Sequence, residues 1–145
     1  MVNDGGPDSP PAETAETRHP TAVEVAGEAA VRQFIEELAP VGSHIADLVL
    51  DTAFEKLHAD PVLSHGEREL ITLAVLAALG GTTEQLKLHL RIAHRLGVSP
   101  ERVIAVFTHT GAYAGFPRAL SAIEVAKDYY GQLGLLPLRR DHPRA

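Results

Sequence analysis

The chain of 145 residues has no cysteine, no tryptophan, one methionine and only 5% aromatic residues. The missing thiol excludes cysteine nucleophiles, iron–sulfur clusters, cysteine zinc sites and dithiol redox cycles, since each of these needs a thiolate. It also fits a reducing compartment. Long apolar runs are lacking as well: the longest unbroken one, Leu73 to Leu79, has seven residues, whereas a membrane span needs about 20. The N-terminal stretch has no basic start followed by an apolar run; residues 1–20 carry Asp4, Asp8, Glu13 and Glu16 against one arginine, so a cytoplasmic location is expected. Positive charge is in deficit, with 13 Lys and Arg against 19 Asp and Glu and a formal charge of −6. Neither a nucleic-acid partner, whose phosphates require a basic face, nor a membrane partner is expected.

What remains is 45% hydrophobic and 22% charged, the composition of one small globular domain that can bury about 70% of its unfolded surface without disulfides or a structural metal. Residues 1–20 hold Gly5, Gly6, Pro7, Pro10, Pro11 and Pro20 and almost no large apolar side chains, so a disordered arm is expected there. Residues 137–145 form a short tail, with Arg139, Arg140 and Arg144 against Asp141 giving +2. Between them, residues 21–136 show apolar spacing near 3.6 and no sustained alternation, which predicts an all-α domain.

Six helices in antiparallel hairpins are predicted. The first runs from Ala22 to Leu38 with Val25, Ala29, Phe34 and Leu38 inward, and the second from Ser43 to before Pro61 with Ile45, Leu48, Val49, Phe54 and Leu57 inward. A capping box, Ser64 with Glu67, opens the third, which is apolar from Leu70 to Leu79 except for Thr72 and is predicted to be central and buried on all sides. Thr82 and Gln85 form a second capping box before a helix with Leu86, His89, Leu90, Ala93 and Leu96 inward. Ser99-Pro100 opens the fifth helix, with Val103, Val106, Phe107 and Thr110 inward, and Pro117 opens the sixth, which presents Leu120, Ile123 and Tyr130.

Two polar residues stand on these apolar stripes. His89 lies among leucines, where burial and a nearby carboxylate would tune a general acid or base; a core histidine bonded to a backbone carbonyl fits the same spacing. Glu69 shares a face with Leu73 and Leu76, and an unpaired carboxylate there would be costly, which makes His89 its natural partner. Glu67 is accounted for by its cap. Arg68 suits either a substrate carboxylate or a bridge to a neighbouring helix. His109 and Tyr113, an i, i+4 pair before Gly115-Phe116-Pro117, would line a pocket mouth or simply occupy a helix end. The remaining histidines, at 19, 44, 58, 65, 94 and 142, show no ligand spacing, so no metal site is expected.

The elements Arg68-Glu69-Leu70, Leu86-x-x-His89-Leu90, Gly97-Val98-Ser99-x-Glu101 and His109-Thr110-x-x-Tyr113-Ala114-Gly115-Phe116-Pro117 occur in order within residues 66–122. This stretch resembles the carboxymuconolactone decarboxylase family, and Leu38 to Leu63 fits it more loosely. The resemblance implies a helical bundle of the alkylhydroperoxidase-D-like type, assembled with itself as homotrimers or homohexamers around a small-molecule substrate. The thiol branch of that superfamily uses Cys-x-x-Cys-x-x-x-His, and Thr82 and Gln85 stand here where the cysteines would be, with His89 at the histidine. A thiol peroxidase is thereby excluded. The other branch implies a cofactor-free decarboxylase or isomerase with His89 as proton donor and Glu69 setting its tautomer. Arg68 would orient a substrate carboxylate, and His109 or Tyr113 would face an enolate oxygen. Close relatives of the catabolic enzyme carry a tryptophan and Arg-Pro-Gly-Leu before the central helix, whereas this chain reads Asp60-Pro61-Val62-Leu63. That departure leaves room for a diverged enzyme of secondary metabolism. The contrasting expectation is a non-catalytic homo-oligomeric binding or scaffold protein in which Glu69 and His89 form a structural pair.

Overall fold

The computed structural model describes residues 14–138, and every regular element among them is helical. These residues contain eight α-helices and one π-helical stretch, where six helices are predicted. They fall into two compact units, one ending at Glu55 and the other beginning at Lys56. Residues 1–13 of the predicted arm and 139–145 of the tail lie outside the described residues. No described helix is long and apolar enough to cross a membrane.

The first unit comprises α1 (Ala15–Arg18), α2 (Pro20–Ala26), α3 (Glu28–Leu38) and α4 (Ser43–Leu50). Gly27 divides the single helix predicted from Ala22 to Leu38. Its φ of +92° is a conformation that a residue without Cβ adopts at no steric cost. The division turns Ala29, expected inward, to solvent and buries Val31 instead.

The end of the predicted arm is helical rather than disordered, because polar contacts do what apolar burial could not. Thr14 caps α1 by accepting from the Thr17 N–H at 3.3 Å. His19 is buried, with Nε2 3.2 Å from Asp47 Oδ1 and Nδ1 3.3 Å from Asp51 Oδ1. The Arg18 guanidinium reaches the same Asp47 oxygen at 2.5 Å. Burial opposes ionisation of Asp47, but the Arg18 and His19 bonds and charges outweigh it and hold the carboxyl below its usual range.

From α4 the chain continues as a π-helical stretch, Asp51–His58. The predicted inward set is largely wrong here. Ile45, Leu48, Val49 and Leu57 are exposed, while Ala46, Leu50, Phe54 and His58 are buried. An α-helix advances about 100° per residue, so a four-residue spacing drifts off one face; the wider turn of i→i+5 bonding counters that drift.

The second unit adds α5 (His65–Leu79), α6 (Thr83–Arg95), α7 (Pro100–Ala114) and α8 (Phe116–Gln132). Helix α5 packs against the other three and is central, as predicted. Leu73, Leu90, Phe107 and Tyr130 fill the core together with the small residues Ala77, Ala93, Ala122 and Ala126. Burying each of the larger apolar side chains contributes about 1.5–3 kcal/mol.

Helix α5 is not buried on all sides, however: Ile71, Val75 and Leu79 form an exposed stripe at i, i+4, i+8. The three neighbours cover one side of the helix, and composition alone cannot say how many sides neighbours reach. On α8, likewise, Leu120 is exposed, and Ala119, Ala122, Ala126 and Tyr130 face the core.

The Ser64–Glu67 capping box is present: the Ser64 N–H and hydroxyl both donate to Glu67 Oε2, and the Glu67 N–H donates to Ser64 Oγ. The second predicted box does not form. Thr82 instead donates its hydroxyl to the Leu76 carbonyl at 2.9 Å, satisfying the end of α5 rather than the start of α6. Arg118 assists there by donating to the carbonyls of Ala78 and Leu79. Ser99 caps α7 as expected. Gly111 permits the close approach of α7 to α8, since a Cβ there would stand 2.8 Å from the Phe116 ring and 3.1 Å from Ala119 Cβ.

The Tyr130 hydroxyl is buried without a hydrogen-bond partner among the described residues, and burial raises its pKa. Tyr130→Phe removes that hydroxyl and keeps the ring. It is expected to leave stability unchanged or raise it by about 1 kcal/mol in urea unfolding. A loss of 1 kcal/mol or more would show that the hydroxyl has a stabilising partner.

Candidate active site

Glu69 is the fifth residue of α5, beyond the first turn where capping could explain a carboxylate, and it is 0% exposed. An isolated ionised carboxylate is not tolerated in such a place. Its partner is His89 on α6, which donates from Nδ1 to Glu69 Oε2 at 2.7 Å, the short distance of a charge-assisted bond. The expected pair is therefore formed. The His89 side chain is 21% exposed, so the acid–base ring reaches solvent while its carboxylate does not. With Nδ1 on Glu69, Nε2 is the nitrogen left to serve a substrate.

The second carboxylate oxygen faces another imidazole. His58 Nε2 lies 3.4 Å from Glu69 Oε1, and His58 Nδ1 lies 3.2 Å from His65 Nδ1. The two rings stack with centroids 5.3 Å apart. The result is an ordered row of side chains, His65, His58, Glu69 and His89. Sequence spacing missed His58 because no ligand pattern includes it. The one available signal was the four-residue spacing of Leu50, Phe54 and His58.

Burial pushes the His58 imidazole below its ordinary pKa of 6.5; the Glu69 charge opposes this, while His65, Arg68 and His89 add to it. His58 is thus neutral at neutral pH. An unfolded chain takes up this proton near pH 6.5, before the folded one does. The stability associated with neutral His58 is therefore complete above about 6.5 and is lost as pH falls toward the folded value.

Arg68 is engaged by its own loop. It donates to the carbonyls of Leu63 at 3.3 Å and Asp60 at 2.8 Å, and meets Asp60 Oδ1 at 3.4 Å. This anchors the segment leading into α5 and keeps a positive charge near His58. His109 and Tyr113 stack on each other at 5.1 Å on α7, with Tyr113 83% exposed. The structure gives neither a bond to Glu69 or His89. Among the described residues no group of three or more His, Asp or Glu is arranged to hold a metal ion.

The carboxymuconolactone decarboxylase family model matches residues 44–128, more than half of the chain and all of the side chains just described. The chain belongs to the carboxymuconolactone decarboxylase family. The 4-carboxymuconolactone decarboxylase of Acinetobacter baylyi is 31% identical over 114 residues, covering 79% of this chain and 84% of that protein. Membership in the carboxymuconolactone decarboxylase family, whose fold this all-α architecture matches, supports a decarboxylase role for the chain at family level.

Proposed function

We propose that this protein is a cofactor-independent decarboxylase acting on a small unsaturated lactone acid of the 4-carboxymuconolactone type, with His89 as proton donor. The observation that carries the reading is the 2.7 Å bond from His89 Nδ1 to the fully buried Glu69. A carboxylate so placed fixes the imidazole tautomer and stabilises the imidazolium, the role carboxylates play behind catalytic histidines elsewhere.

The chemistry needs no external electron sink. As the carbon–carboxylate bond breaks, its electron pair passes through the ring alkene into the lactone carbonyl, giving an enolate and CO₂. The His89 imidazolium then transfers its Nε2 proton to carbon and returns to the neutral Nδ1–H tautomer, so each turnover consumes one proton. The protein has to orient the substrate and supply this proton. In the same reading Arg68 contributes positive charge toward the substrate carboxylate, and His109 and Tyr113 lie on the enolate side.

The test is wild-type protein incubated with 4-carboxymuconolactone, with product mass and CO₂ release as readouts. Loss of CO₂ is expected. Ligand-induced thermal stabilisation without mass loss would replace decarboxylation by isomerisation or ligand carriage, and neither effect would favour a scaffold. Self-association belongs to the proposal, because the exposed stripe Ile71, Val75 and Leu79 and the exposed Phe116 and Leu120 are the kind of apolar surface that subunit contacts cover. Light scattering showing only monomer would remove that element.

A further inference from the structure

We propose that His58 is a positioning residue for His89, acting through Glu69, and that His65 sets the tautomer this requires. The inference rests on the decarboxylase reading for its kinetic consequence, though not for its geometry.

A carboxylate bonded through one oxygen can still turn about its last torsion, which is broad and roughly two-fold. Glu69 has an imidazole on each side, bonded to it on one and 3.4 Å away on the other, where Oε1 has no hydrogen-bond partner among the described residues. Oε2 accepts from His89 Nδ1 at 2.7 Å, and Oε1 faces His58 Nε2 at 3.4 Å. The carboxylate thus lies between two imidazoles from different segments, one preceding α5 and one on α6, and a short approach of His58 Nε2–H to Oε1 would fix its plane. For His58 to offer Nε2–H to Glu69 while neutral, its Nδ1 must be bare. His65 Nδ1, at 3.2 Å, is placed to donate to that bare nitrogen. Burial, with the charges of His65, Arg68 and His89, keeps His58 neutral against the pull of Glu69. Each ring therefore fixes the next, and the last fixed atom is the Nε2 that faces the substrate. Outer groups that orient an active ligand in this way commonly matter by about 10–100-fold in activity.

Two substitutions separate the donor from the ring. His58→Phe keeps a ring against His65 but removes the donor to Glu69. His58→Gln keeps a donor at the position of Nε2, because the amide nitrogen is the same number of bonds from Cβ. With 4-carboxymuconolactone as probe, His58→Phe is expected to lower kcat about 10–100-fold with KM little changed. His58→Gln should recover most of that loss. Long-range proton–nitrogen spectra of the histidine rings supply a readout without substrate: His89 should be the Nδ1–H tautomer in wild type and His58→Gln, and mixed in His58→Phe.

A folded His58→Phe variant with wild-type kcat and wild-type His89 tautomer would overturn the proposal. So would a His58→Gln variant as slow as His58→Phe, because the donor to Glu69 would then be irrelevant. Absence of CO₂ release from wild type would instead remove the decarboxylase reading, and the tautomer spectra alone would then decide the role of His58. If His58→Phe does not fold, His65→Phe carries the test: loss of the single His58 tautomer supports the row, and its retention overturns it.

Discussion

Replacing His89 with asparagine is expected to cut CO₂ release about 10²–10⁴-fold, the usual contribution of a positioned general acid, while the protein stays folded. Asparagine is the informative choice because its amide nitrogen occupies the position of Nδ1. It can still donate to Glu69 Oε2, which in the wild type accepts from His89 Nδ1 at 2.7 Å, but it has nothing at the position of Nε2. The buried carboxylate keeps a partner and the substrate loses its proton. Alanine removes both and would mix the two effects. The measurements are steady-state kinetics with 4-carboxymuconolactone and urea unfolding of the same preparation. Wild-type kcat in His89→Asn would eliminate His89 as the acid. A collapse in stability with unchanged turnover per folded molecule would assign the pair a structural role.

This prediction depends on atoms that the sequence could only partly place. Glu69 and His89 were legible because each interrupts a helical apolar stripe, and a carboxylate and an imidazole on facing stripes have a strong physical reason to meet. The Ser64–Glu67 and Ser99 caps were legible because hydroxyl and glutamate spacing at a helix start is a local property. Thr82 shows the limit of the same rule. Its hydroxyl had two unsatisfied helix ends within reach, and it chose the Leu76 carbonyl of α5, a choice made by the Gly80–Gly81 turn rather than by spacing.

His58 and the stripe before it were hidden for a different reason. Reading Ser43 to His58 with an α period puts Ile45, Leu48 and Val49 inward, whereas the π-helical stretch Asp51–His58 is accompanied by burial at Ala46, Leu50, Phe54 and His58. Arg68 was legible as a charged group near the site, but its use was not, because the carbonyls of Asp60 and Leu63 that receive it belong to an irregular loop. His109 and Tyr113 were correctly seen as neighbours on one helix face, and they stack at 5.1 Å. Which surface lies opposite them was beyond periodicity.

Glu69→Ala should have the largest effect on stability, a loss of about 3–5 kcal/mol, typical of breaking a buried ionic contact by removing one partner. For a chain of this size that corresponds to a fall in Tm of about 10–20 °C. The deletion does more than leave a gap. Glu69 is 0% exposed and is approached by His89 at 2.7 Å and His58 at 3.4 Å, so one ring N–H loses its acceptor and a second imidazole loses the carboxylate it lies against. Glu69→Gln separates charge from shape, since it fills the same volume and keeps one acceptor oxygen. It should cost only about 1–3 kcal/mol, yet slow turnover because a neutral amide stabilises the His89 imidazolium poorly. If Glu69→Gln instead kept wild-type kcat, the carboxylate would be a fold element alone, whatever its effect on Tm. If Glu69→Ala were as stable as wild type, the row from His65 to His89 would not be holding the second unit together. The catalytic assignment would then rest on His89 without its buried partner, which the observed 2.7 Å bond makes the less economical account.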